Sequence, residues 1–502
     1  MALSKQASGV PLPQLLDGLA VTEMDAAPDV SGVSSDSRET GLGDLFLACK
    51  GVSRDGAAFI PEAIRAGASV IAIEQGLALP AEKVSIPVVV VPELAQKAGI
   101  IAGRFYQQPS RALALTGVTG TNGKTSICWW LARLHTQLSG QPCGLIGTLG
   151  AGSLPNPDAS INTTPGAVHL QKLMAGFVSD NITTAFMEVS SHALDQGRTN
   201  GLEFNAGVFT NLSHDHLDYH GDLQSYRDSK ARLFQCDSLE YAVINADDAT
   251  GRELASGLKT GLEVITYSIA GAGPTAGCRH IQATLATATD GGADVTVHGD
   301  FGDGRFVTHL QGGFSVSNLL AVTTVLLQSG FSLEQILGAL ADLPAVPGRM
   351  EQFNLPRGYR VVVDYAHTPA ALEQALLALR QSCNGKLICV FGCGGDRDRD
   401  KRPIMGEVAA RLADQIVLTD DNPRDESAQQ IIDDILSGIQ SSDQLVVEHD
   451  RCKAISDAIK MARDDDVILI AGKGHETYQE IAGRRSPFSD RQQVRNCIEG
   501  VT

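Results

Sequence analysis

Short apolar runs, each followed by a polar or glycine-rich turn and a helical stretch, recur along most of the chain. They include VVVVP at residues 88–92, ALALTGVTG at 112–120, KLICVFGCGG at 386–395 and DVILIAGKG at 466–474. Runs that are apolar at nearly every position are typical of strands buried on both faces of a parallel sheet. The pattern therefore predicts an α/β fold, in which ligands bind where the parallel strands end.

The same pattern divides the chain into three predicted domains. Its 502 residues exceed the size of a single core, which stops growing at about 250–300 residues. Residues 1–110 contain short apolar strands, whereas residues 111–345 and 346–502 each alternate strands with helices. The segment LPAVPGRME at 343–351 is rich in Pro and Gly and indicates a hinge. Residues 270–300 are expected to form a small hairpin insertion.

Composition narrows the function. A net charge of -18 argues against nucleic acid as the main partner, because phosphate backbones need a basic surface. The 10 cysteines show neither zinc-site spacing nor a disulfide framework, which predicts reduced thiols in the cytoplasm. No apolar run reaches the length of about 18 residues that a membrane span needs, and the N-terminus has no signal-peptide pattern. We expect no membrane span, and a monomer that binds small molecules.

The segment TGVTGTNGKTSICWW at 116–130 combines a strand, a glycine-rich turn and a helix start. Gly120 and Gly123 allow backbone N–H groups to face phosphate oxygens, and the helix N-terminus adds partial positive charge. Lys124 is expected to neutralise phosphate charge, and Thr125 to bind Mg²⁺. The strict G-x-x-x-x-G-K-[ST] pattern fails because Val118 occupies its first position. A glycine-rich turn with a chance lysine is the weaker alternative.

This loop, with Asn122 inside it, resembles that of the Mur ligase superfamily, which includes folylpolyglutamate synthases. The resemblance implies a uridine-nucleotide-binding α/β domain, a central P-loop domain with a parallel sheet, and a Rossmann-like C-terminal domain. It implies an ADP-forming ligase, in which ATP converts a carboxylate to an acyl phosphate and an amine displaces the phosphate. The residues it assigns to ATP are Gly120, Thr121, Asn122, Gly123, Lys124, Thr125, Ser126, Asn318, Arg349, Asp364 and His367. Asn318 as a helix-start residue and Asp364 as a turn cap remain alternatives.

Acidic and imidazole groups follow two further strands, in FMEVSSHALDQGR and TNLSHDHLDYHG. Such a set suits two Mg²⁺ ions that clamp a triphosphate. The resemblance implies that Thr125, Glu188, His216 and Lys230 hold the metal, and that Lys124, Glu188, His216 and Lys230 are catalytic. Lys230 is implied to be N6-carboxylysine, a carbamate formed with CO₂. Composition alone favours a solvated helix lysine at this position.

The N-terminal region contains DSR, GDLFLACKG and DGAAFI, which resemble the uridine-nucleotide domain of the UDP-N-acetylmuramoyl-peptide ligases. Folylpolyglutamate synthases lack this domain. The implied contacts to the UDP-sugar peptide are Ser35, Ser37, Val52, Ser53, Arg54, Asn162, Thr163, Thr164, Ser190, Gln196 and Arg198. Arg198 suits a carboxylate or phosphate by bidentate pairing. Ordinary turn chemistry is the alternative for the Ser and Thr residues.

The C-terminal region contains GCGGDRDRDKRP, DDNPRDE and AGKGHETYQ, each after an apolar strand. The DNPR segment resembles that of family members that add meso-diaminopimelate to UDP-N-acetylmuramoyl-L-alanyl-D-glutamate. The implied contacts to diaminopimelate are Arg397, Asp421, Asn422, Pro423, Arg424, Gly472 and Glu476. Diaminopimelate is lysine with an additional carboxylate, and a guanidinium binds a carboxylate bidentately. An idle type I turn is the alternative for DNPR.

The sequence thus predicts a ligase of peptidoglycan precursor synthesis that uses ATP, Mg²⁺ and a lysine carbamate. The D-glutamate carboxylate attacks the γ-phosphate, and the diaminopimelate amine attacks the acyl phosphate. Closure about the hinge near residue 345 is expected, and the base that deprotonates the amine stays open. Three rival functions are a lysine-adding or folate ligase, a P-loop ATPase without an acceptor, and a nucleotide-sensing scaffold.

Overall fold

The computed structural model describes residues 9–20, 28–51, 54–82, 84–155, 157–158, 162–287, 292–354, 358–440 and 445–500. The chain separates into two compact units. The first contains residues 1–119, 135–208 and 229–242, and the second contains residues 120–134, 209–228 and 243–502. The three predicted domain ranges stay a prediction.

The first unit contains strands of three sheets. Its elements are β1 (Val10–Pro11), α1 (Leu12–Leu16), β2 (Asp29–Val30), β3 (Gly32–Ser34), β4 (Asp44–Ala48), α2 (Ile60–Ala66), β5 (Val70–Glu74), β6 (Val88–Val91), α3 (Leu94–Phe105), β7 (Ala114–Thr119), β8 (Gly144–Gly147), β9 (Gly150–Ser153), α5 (Ala167–Ser179), β10 (Thr184–Glu188) and α6 (Ser191–Asp195). Four elements have residues in both units: α4 (Lys124–Ser139), β11 (Ala206–Phe209), α8 (Leu223–Ala231) and β12 (Tyr241–Asn245).

Strands β3, β4, β5 and β6 form a parallel sheet in that order. Every residue of β4 is buried, so this strand is covered on both faces, as its apolar sequence predicts. One core lies around Leu45 and Leu47 with helices α1 and α3, and the other lies around Phe46 and Ile71 with α2.

Strand β10 pairs in parallel with β7 and β8, and β8 pairs antiparallel with β9. Glu188, the last residue of β10, pairs with Val118 of β7. The carboxylate of Glu188 therefore lies at the carboxyl edge of these strands, where an α/β sheet binds its ligands.

The second unit contains the remaining elements. They are α7 (Leu217–His220), α9 (Ala249–Gly257), β13 (Glu263–Ser268), β14 (Arg279–Thr287), β15 (Ala293–Gly299), β16 (Gly304–Thr308), α10 (Gly313–Gln328), α11 (Leu333–Leu340), β17 (Glu351–Asn354), β18 (Arg360–Asp364), α12 (Pro369–Arg380), β19 (Leu387–Phe391), α13 (Lys401–Leu412), β20 (Gln415–Leu418), α14 (Ala428–Leu436), β21 (Leu445–Val447), α15 (Arg451–Met461), β22 (Val467–Ala471), β23 (Tyr478–Ile481), β24 (Arg484–Pro487) and α16 (Asp490–Glu499). Strands β14, β15 and β16 pair antiparallel in sequence, in agreement with the predicted hairpin insertion.

The C-terminal sheet has the order β17-β18-β22-β19-β20-β21, parallel except at its β17 edge. Strands β19 and β22 are buried at every position. Helix α12 begins at Pro369, where the fixed φ of proline suits the first helical turn, and the Thr368 side chain caps it. Because the order places four strand ends side by side, the loops after β18, β22, β19 and β20 lie along one edge.

No helix among the described residues is long and apolar enough to cross a membrane. The 10 cysteines are all free thiols, as predicted.

Candidate active site

Residues 120–126, called here the phosphate loop, lie in the second unit and lead into α4. Gly120 has φ +142° and Gly123 has φ +92°, both in the region that favours glycine. A Cβ at Gly120 would lie 1.9 Å from the Thr210 hydroxyl, and one at Gly123 would lie 2.6 Å from the Asn318 amide oxygen. The two glycines are therefore required by the neighbouring side chains as well as by the turn. Asn318 lies within α10 and does not start that helix.

Asn211, which follows β11, fixes the phosphate loop through backbone bonds. Its carbonyl accepts from the Thr121 N–H at 2.8 Å, and its side-chain oxygen accepts from the Asn122 N–H at 3.0 Å. The Lys124 ammonium donates to the carbonyl oxygens of Gly120 at 2.9 Å and Thr121 at 2.8 Å. Ser126 is buried behind the loop. These bonds fix the conformation of the phosphate loop, and the Lys124 side chain folds back onto its carbonyl groups.

Arg349 extends from the predicted hinge to the phosphate loop. Its Nη2 donates to the Thr125 hydroxyl at 3.2 Å, and its guanidinium lies 4.1 Å from the centre of the Tyr365 ring. Asp364, at the end of β18, accepts from the backbone N–H groups of Met350 at 2.7 Å and Ala366 at 2.8 Å. Asp364 therefore orders the turn, which was its predicted alternative role. Burial raises the pKa of its carboxyl, against the lowering effect of Arg349.

Asp215 lies at the centre of a polar cluster that the sequence analysis did not assign. Its carboxylate accepts from the His216 N–H at 2.9 Å and lies 3.4 Å from the His216 ring. Burial acts to raise the pKa of Asp215, but His216, His367 and Lys401 together hold it below its ordinary value. Burial lowers the pKa of His367, as does Lys401. Two predicted site histidines thus face one buried acid, whose only sequence signal is its place between His214 and His216.

Glu188 is 1% exposed and lies in the first unit, with Lys230, which is also 1% exposed. The Glu188 carboxylate accepts from the Thr148 N–H at 2.7 Å and from its hydroxyl at 3.2 Å. The Thr164 hydroxyl donates to the Glu188 carbonyl at 2.8 Å and accepts from the Ser190 N–H at 3.0 Å. Thr148 follows the apolar strand β8, and that strand-end position is the signal that could have identified it.

The hydrogen bonds around Glu188 and Thr164 extend to Thr163, Arg198 and Gln196. The Thr163 hydroxyl lies within hydrogen-bonding distance of that of Thr148, at 3.0 Å. Arg198 donates to the Thr164 carbonyl at 2.9 Å and binds the Gln196 side chain through Nε at 3.0 Å and Nη2 at 2.6 Å. The structure therefore brings together most of the residues predicted to hold the sugar and peptide, while Asn162 is exposed nearby in sequence.

The predicted uridine contacts differ in their exposure. Ser35 and Arg54 are exposed, whereas Ser37 is buried and donates to Glu62 at 2.7 Å. Val52 and Ser53 lie outside the described residues.

The predicted diaminopimelate residues lie along the carboxyl edge of the C-terminal sheet. Asn422, after β20, donates through its amide nitrogen to Glu476 at 2.8 Å. Arg424 has φ +53° and donates to the Gly395 carbonyl at 2.6 Å, in the glycine-rich loop after β19. A Cβ at Gly394 would lie 2.9 Å from Arg424 Nη1 and 3.9 Å from Arg397 Cγ, so both arginines flank this glycine.

Three further predicted residues complete this edge. A Cβ at Gly472 would lie 2.5 Å from the Asp421 carboxylate, so only glycine fits there. The Pro423 carbonyl accepts from the Glu426 N–H at 3.1 Å, so a turn begins at Pro423. Its second residue, Arg424, has φ +53°, which differs from the type I turn of the alternative. The sequence analysis missed Lys473, which is 0% exposed and donates to both Asn422 and Glu476. A lysine two residues after a buried parallel strand was the available signal.

The residues present fit a magnesium ion in part by their chemistry. Glu188 and Thr125 offer oxygen donors, which Mg²⁺ prefers. His216 offers a ring nitrogen, and Lys230 offers an anionic oxygen only as a carbamate. Among the described residues, no three His, Cys, Asp or Glu side chains form a ready metal cluster.

Comparisons with known proteins identify relatives of this chain. Three family profiles match successive segments: the Mur ligase family catalytic domain at 29–106, the Mur ligase middle domain at 118–326, and the Mur ligase glutamate ligase domain at 348–474. The chain is 44% identical to the UDP-N-acetylmuramoyl-L-alanyl-D-glutamate–2,6-diaminopimelate ligase of Alkalilimnicola ehrlichii, covering 95% of this chain and 96% of that protein. It is 42% identical to the ligase of the same name from Coxiella burnetii, covering 98% and 100%. A solved structure of a ligase of this name has a TM-score of 0.67 and 36% identity, covering 98% of this chain and 99% of the other.

Proposed function

The chain belongs to the Mur ligase family, and on that premise we propose that it joins diaminopimelate to UDP-N-acetylmuramoyl-L-alanyl-D-glutamate at the expense of ATP. The observation that carries this proposal is its similarity, over nearly the full length of both chains, to relatives that bear this ligase name. The contacts of the phosphate loop and of the C-terminal sheet edge support it. The reaction is one step in the synthesis of peptidoglycan precursors.

ATP binds at the phosphate loop. The Lys124 ammonium, which lies 2.8–2.9 Å from two loop carbonyls, exchanges these acceptors for phosphate oxygens and stabilises charge there. Arg349 reaches the same loop through Thr125, and Asn318 lies against Gly123 where the adenine is predicted. The D-glutamate γ-carboxylate attacks the γ-phosphorus, ADP leaves, and an acyl phosphate forms.

Thr125, Glu188, His216 and Lys230 are the proposed residues for two Mg²⁺ ions, which neutralise charge on the phosphates when bound. Lys230 contributes as a carbamate, formed from its neutral amine and CO₂ with release of a proton. After the ammonium has lost a proton, that reaction converts the buried amine into an anion with two oxygen donors. The burial of Glu188 and Lys230 in one unit supports this assignment.

The UDP-sugar peptide is assigned to the first unit. The N-terminal contacts Ser35, Ser37, Val52, Ser53 and Arg54 are proposed for the uridine nucleotide. The group formed by Thr164, Ser190, Gln196 and Arg198 supports binding of the sugar and peptide, because its hydrogen bonds orient polar atoms around the end of β10. Asn162 and Thr163 extend this group along the chain.

Diaminopimelate is assigned to the carboxyl edge of the C-terminal sheet. Arg424, with Arg397, binds the distal carboxylate, and Glu476 receives the distal ammonium group. Asp421, Asn422, Pro423 and Gly472 are the remaining proposed contacts. L-Lysine lacks that carboxylate and would leave the guanidinium unpaired, and a site built for a polar group rejects its absence by about 10⁴-fold or more. The amine attacks the acyl carbon, a tetrahedral intermediate forms, and phosphate leaves while the nitrogen loses a proton.

The proposal also includes the domain ranges, the cellular location and the oligomeric state. The domain ranges 1–110, 111–345 and 346–502 are kept, with closure near residue 345 during the reaction. A cytoplasmic location is supported by the free thiols. A monomer is expected, and light scattering of the purified protein tests it.

The deciding experiment measures phosphate release with ATP, Mg²⁺ and UDP-N-acetylmuramoyl-L-alanyl-D-glutamate, with meso-diaminopimelate or L-lysine added in parallel. We expect release only with diaminopimelate, together with the tripeptide product in the mass spectrum. Release that is independent of both amines would indicate an ATPase instead. Release with L-lysine alone would refute the assignment of Arg424.

A further inference from the structure

Lys473 is a fully buried cation at the proposed diaminopimelate site. It lies two residues after the end of β22, and its side chain is 0% exposed. The ammonium donates to the Asn422 side-chain oxygen at 2.9 Å and to Glu476 Oε2 at 2.7 Å. A buried ammonium is costly in free energy unless it is paired. These two contacts therefore fix the position of the lysine side chain and orient Asn422 and Glu476.

These contacts fix the orientation of the Asn422 amide. Its oxygen accepts from two donors, Lys473 Nζ and the Glu480 N–H at 2.9 Å. A rotated amide would place its NH₂ group against both donors, so only one orientation is compatible with the site. In that orientation the amide nitrogen points to Glu476, at 2.8 Å.

The same contacts leave one side of Glu476 for a ligand. Lys473 and Asn422 both donate to Oε2. Among the described residues, Oε1 makes no hydrogen bond, and the side chain is 17% exposed. The carboxylate is therefore held by one oxygen while the other remains available to an ammonium group.

We infer that Lys473 is a positioning residue for diaminopimelate, which holds Asn422 and Glu476 in the orientation that binds the amino acid. Lys473 contacts the ligand only through these two side chains. The inference rests on the proposed function and adds to it a residue on which recognition of the amino acid depends.

The test is Lys473→Met in the full-length protein, with KM measured separately for diaminopimelate, ATP and the UDP-dipeptide. We expect KM for diaminopimelate to rise about 10- to 100-fold, as loss of charged hydrogen bonds predicts. The other two KM values should change less than about twofold, and kcat at saturating diaminopimelate should be largely retained. Lys453→Met is the matched control, because Lys453 forms an exposed ion pair with Glu448 in the same unit.

A merely structural ion pair would lower Tm and leave KM for diaminopimelate unchanged, or would raise all three KM values together. Either result overturns the inference. If Lys473→Met does not fold, Lys473→Gln retains a donor, and the same selective rise, at about threefold or more, is expected. Adding Lys473→Met to Glu476→Gln should raise KM less than adding it to the wild type, whereas equal effects refute action through Glu476.

The measurements separate a failure of this inference from a failure of the proposed function. If the wild-type protein released no phosphate in response to diaminopimelate, the proposed function itself would fail. If the wild type responds and Lys473→Met shows an unchanged KM, only the inference about Lys473 fails.

Discussion

Replacing Glu426 by Gln removes the charge of a carboxylate that ties together two loops of the proposed diaminopimelate site. Arg402, which is 0% exposed, donates to both oxygens of Glu426 at 2.8 and 2.7 Å. Arg399 contributes a contact at 2.9 Å, and the Asp396 N–H donates at 3.0 Å. Asp396 and Arg399 lie in the loop after β19, and Glu426 follows DNPR. The contacts of Glu426 with these two residues therefore hold the two loops together.

The pKa of this carboxylate gives the size of the effect. Hydrogen bonding to Arg402, with the further contacts, lowers the pKa of Glu426 from 4.5 to about 2. At about 1.4 kcal/mol per pKa unit, the lowering corresponds to about 3 kcal/mol of folding free energy. Because the folded pKa is the lower one, this contribution is complete well above pH 4.5 and is lost as the pH falls through about 2, with about 2 kcal/mol remaining at pH 3.5.

The assay is urea unfolding followed by far-UV circular dichroism at pH 7.5 and pH 3.5. Glu426→Gln should lose about 3 kcal/mol or more at the higher pH, because Arg402 also loses a partner, and clearly less at the lower pH. Glu448→Gln is the control, since its ion pair with Lys453 is exposed, and its effect should be far smaller. A loss for Glu426→Gln that is independent of pH would refute the reasoning.

Three further predictions concern the reaction. Arg424→Met should lower kcat/KM for diaminopimelate by about 30-fold or more, because a bidentate charged contact is lost, with little change in KM for ATP; equal loss for both substrates would contradict it. Gly123→Ala should raise KM for ATP at least about tenfold through strain and contact with Asn318, whereas Gly140→Ala, at a positive φ in open space, should not. Added bicarbonate should raise the activity of the wild type and leave that of Lys230→Met unchanged, and a response retained in Lys230→Met would exclude the carbamate.

The sequence predicts those features of the candidate site that depend on a few neighbouring residues. Strands β19 and β22 are apolar throughout, and both are buried on both faces. The positive φ of Gly120 and Gly123 follows from a turn that must face phosphate. Because ligand groups in a parallel sheet follow the strand ends, Glu188, Asp364, Asn422 and Gly472 could be identified one by one.

Partners from different loops could not be identified in this way. Thr148 supports Glu188 from 40 positions away in the chain, and Lys473 meets Asn422 across 51 positions. Both pairs exist because β8 neighbours β10, and because the C-terminal sheet places β22 and β19 beside β20 in the order β22-β19-β20. Local periodicity carries no information on strand order, so these contacts were absent from the prediction.

The sequence alone therefore determined the α/β class, the phosphate loop and the residue types at each strand end, because burial and turn geometry act over a few neighbouring residues. The tertiary structure alone decided which of these side chains form hydrogen bonds or ion pairs with one another. Asp215 faces His367 and Lys401, and Arg402 joins Glu426, only because the folded chain brings distant segments within a few ångströms, where charge interactions are strong.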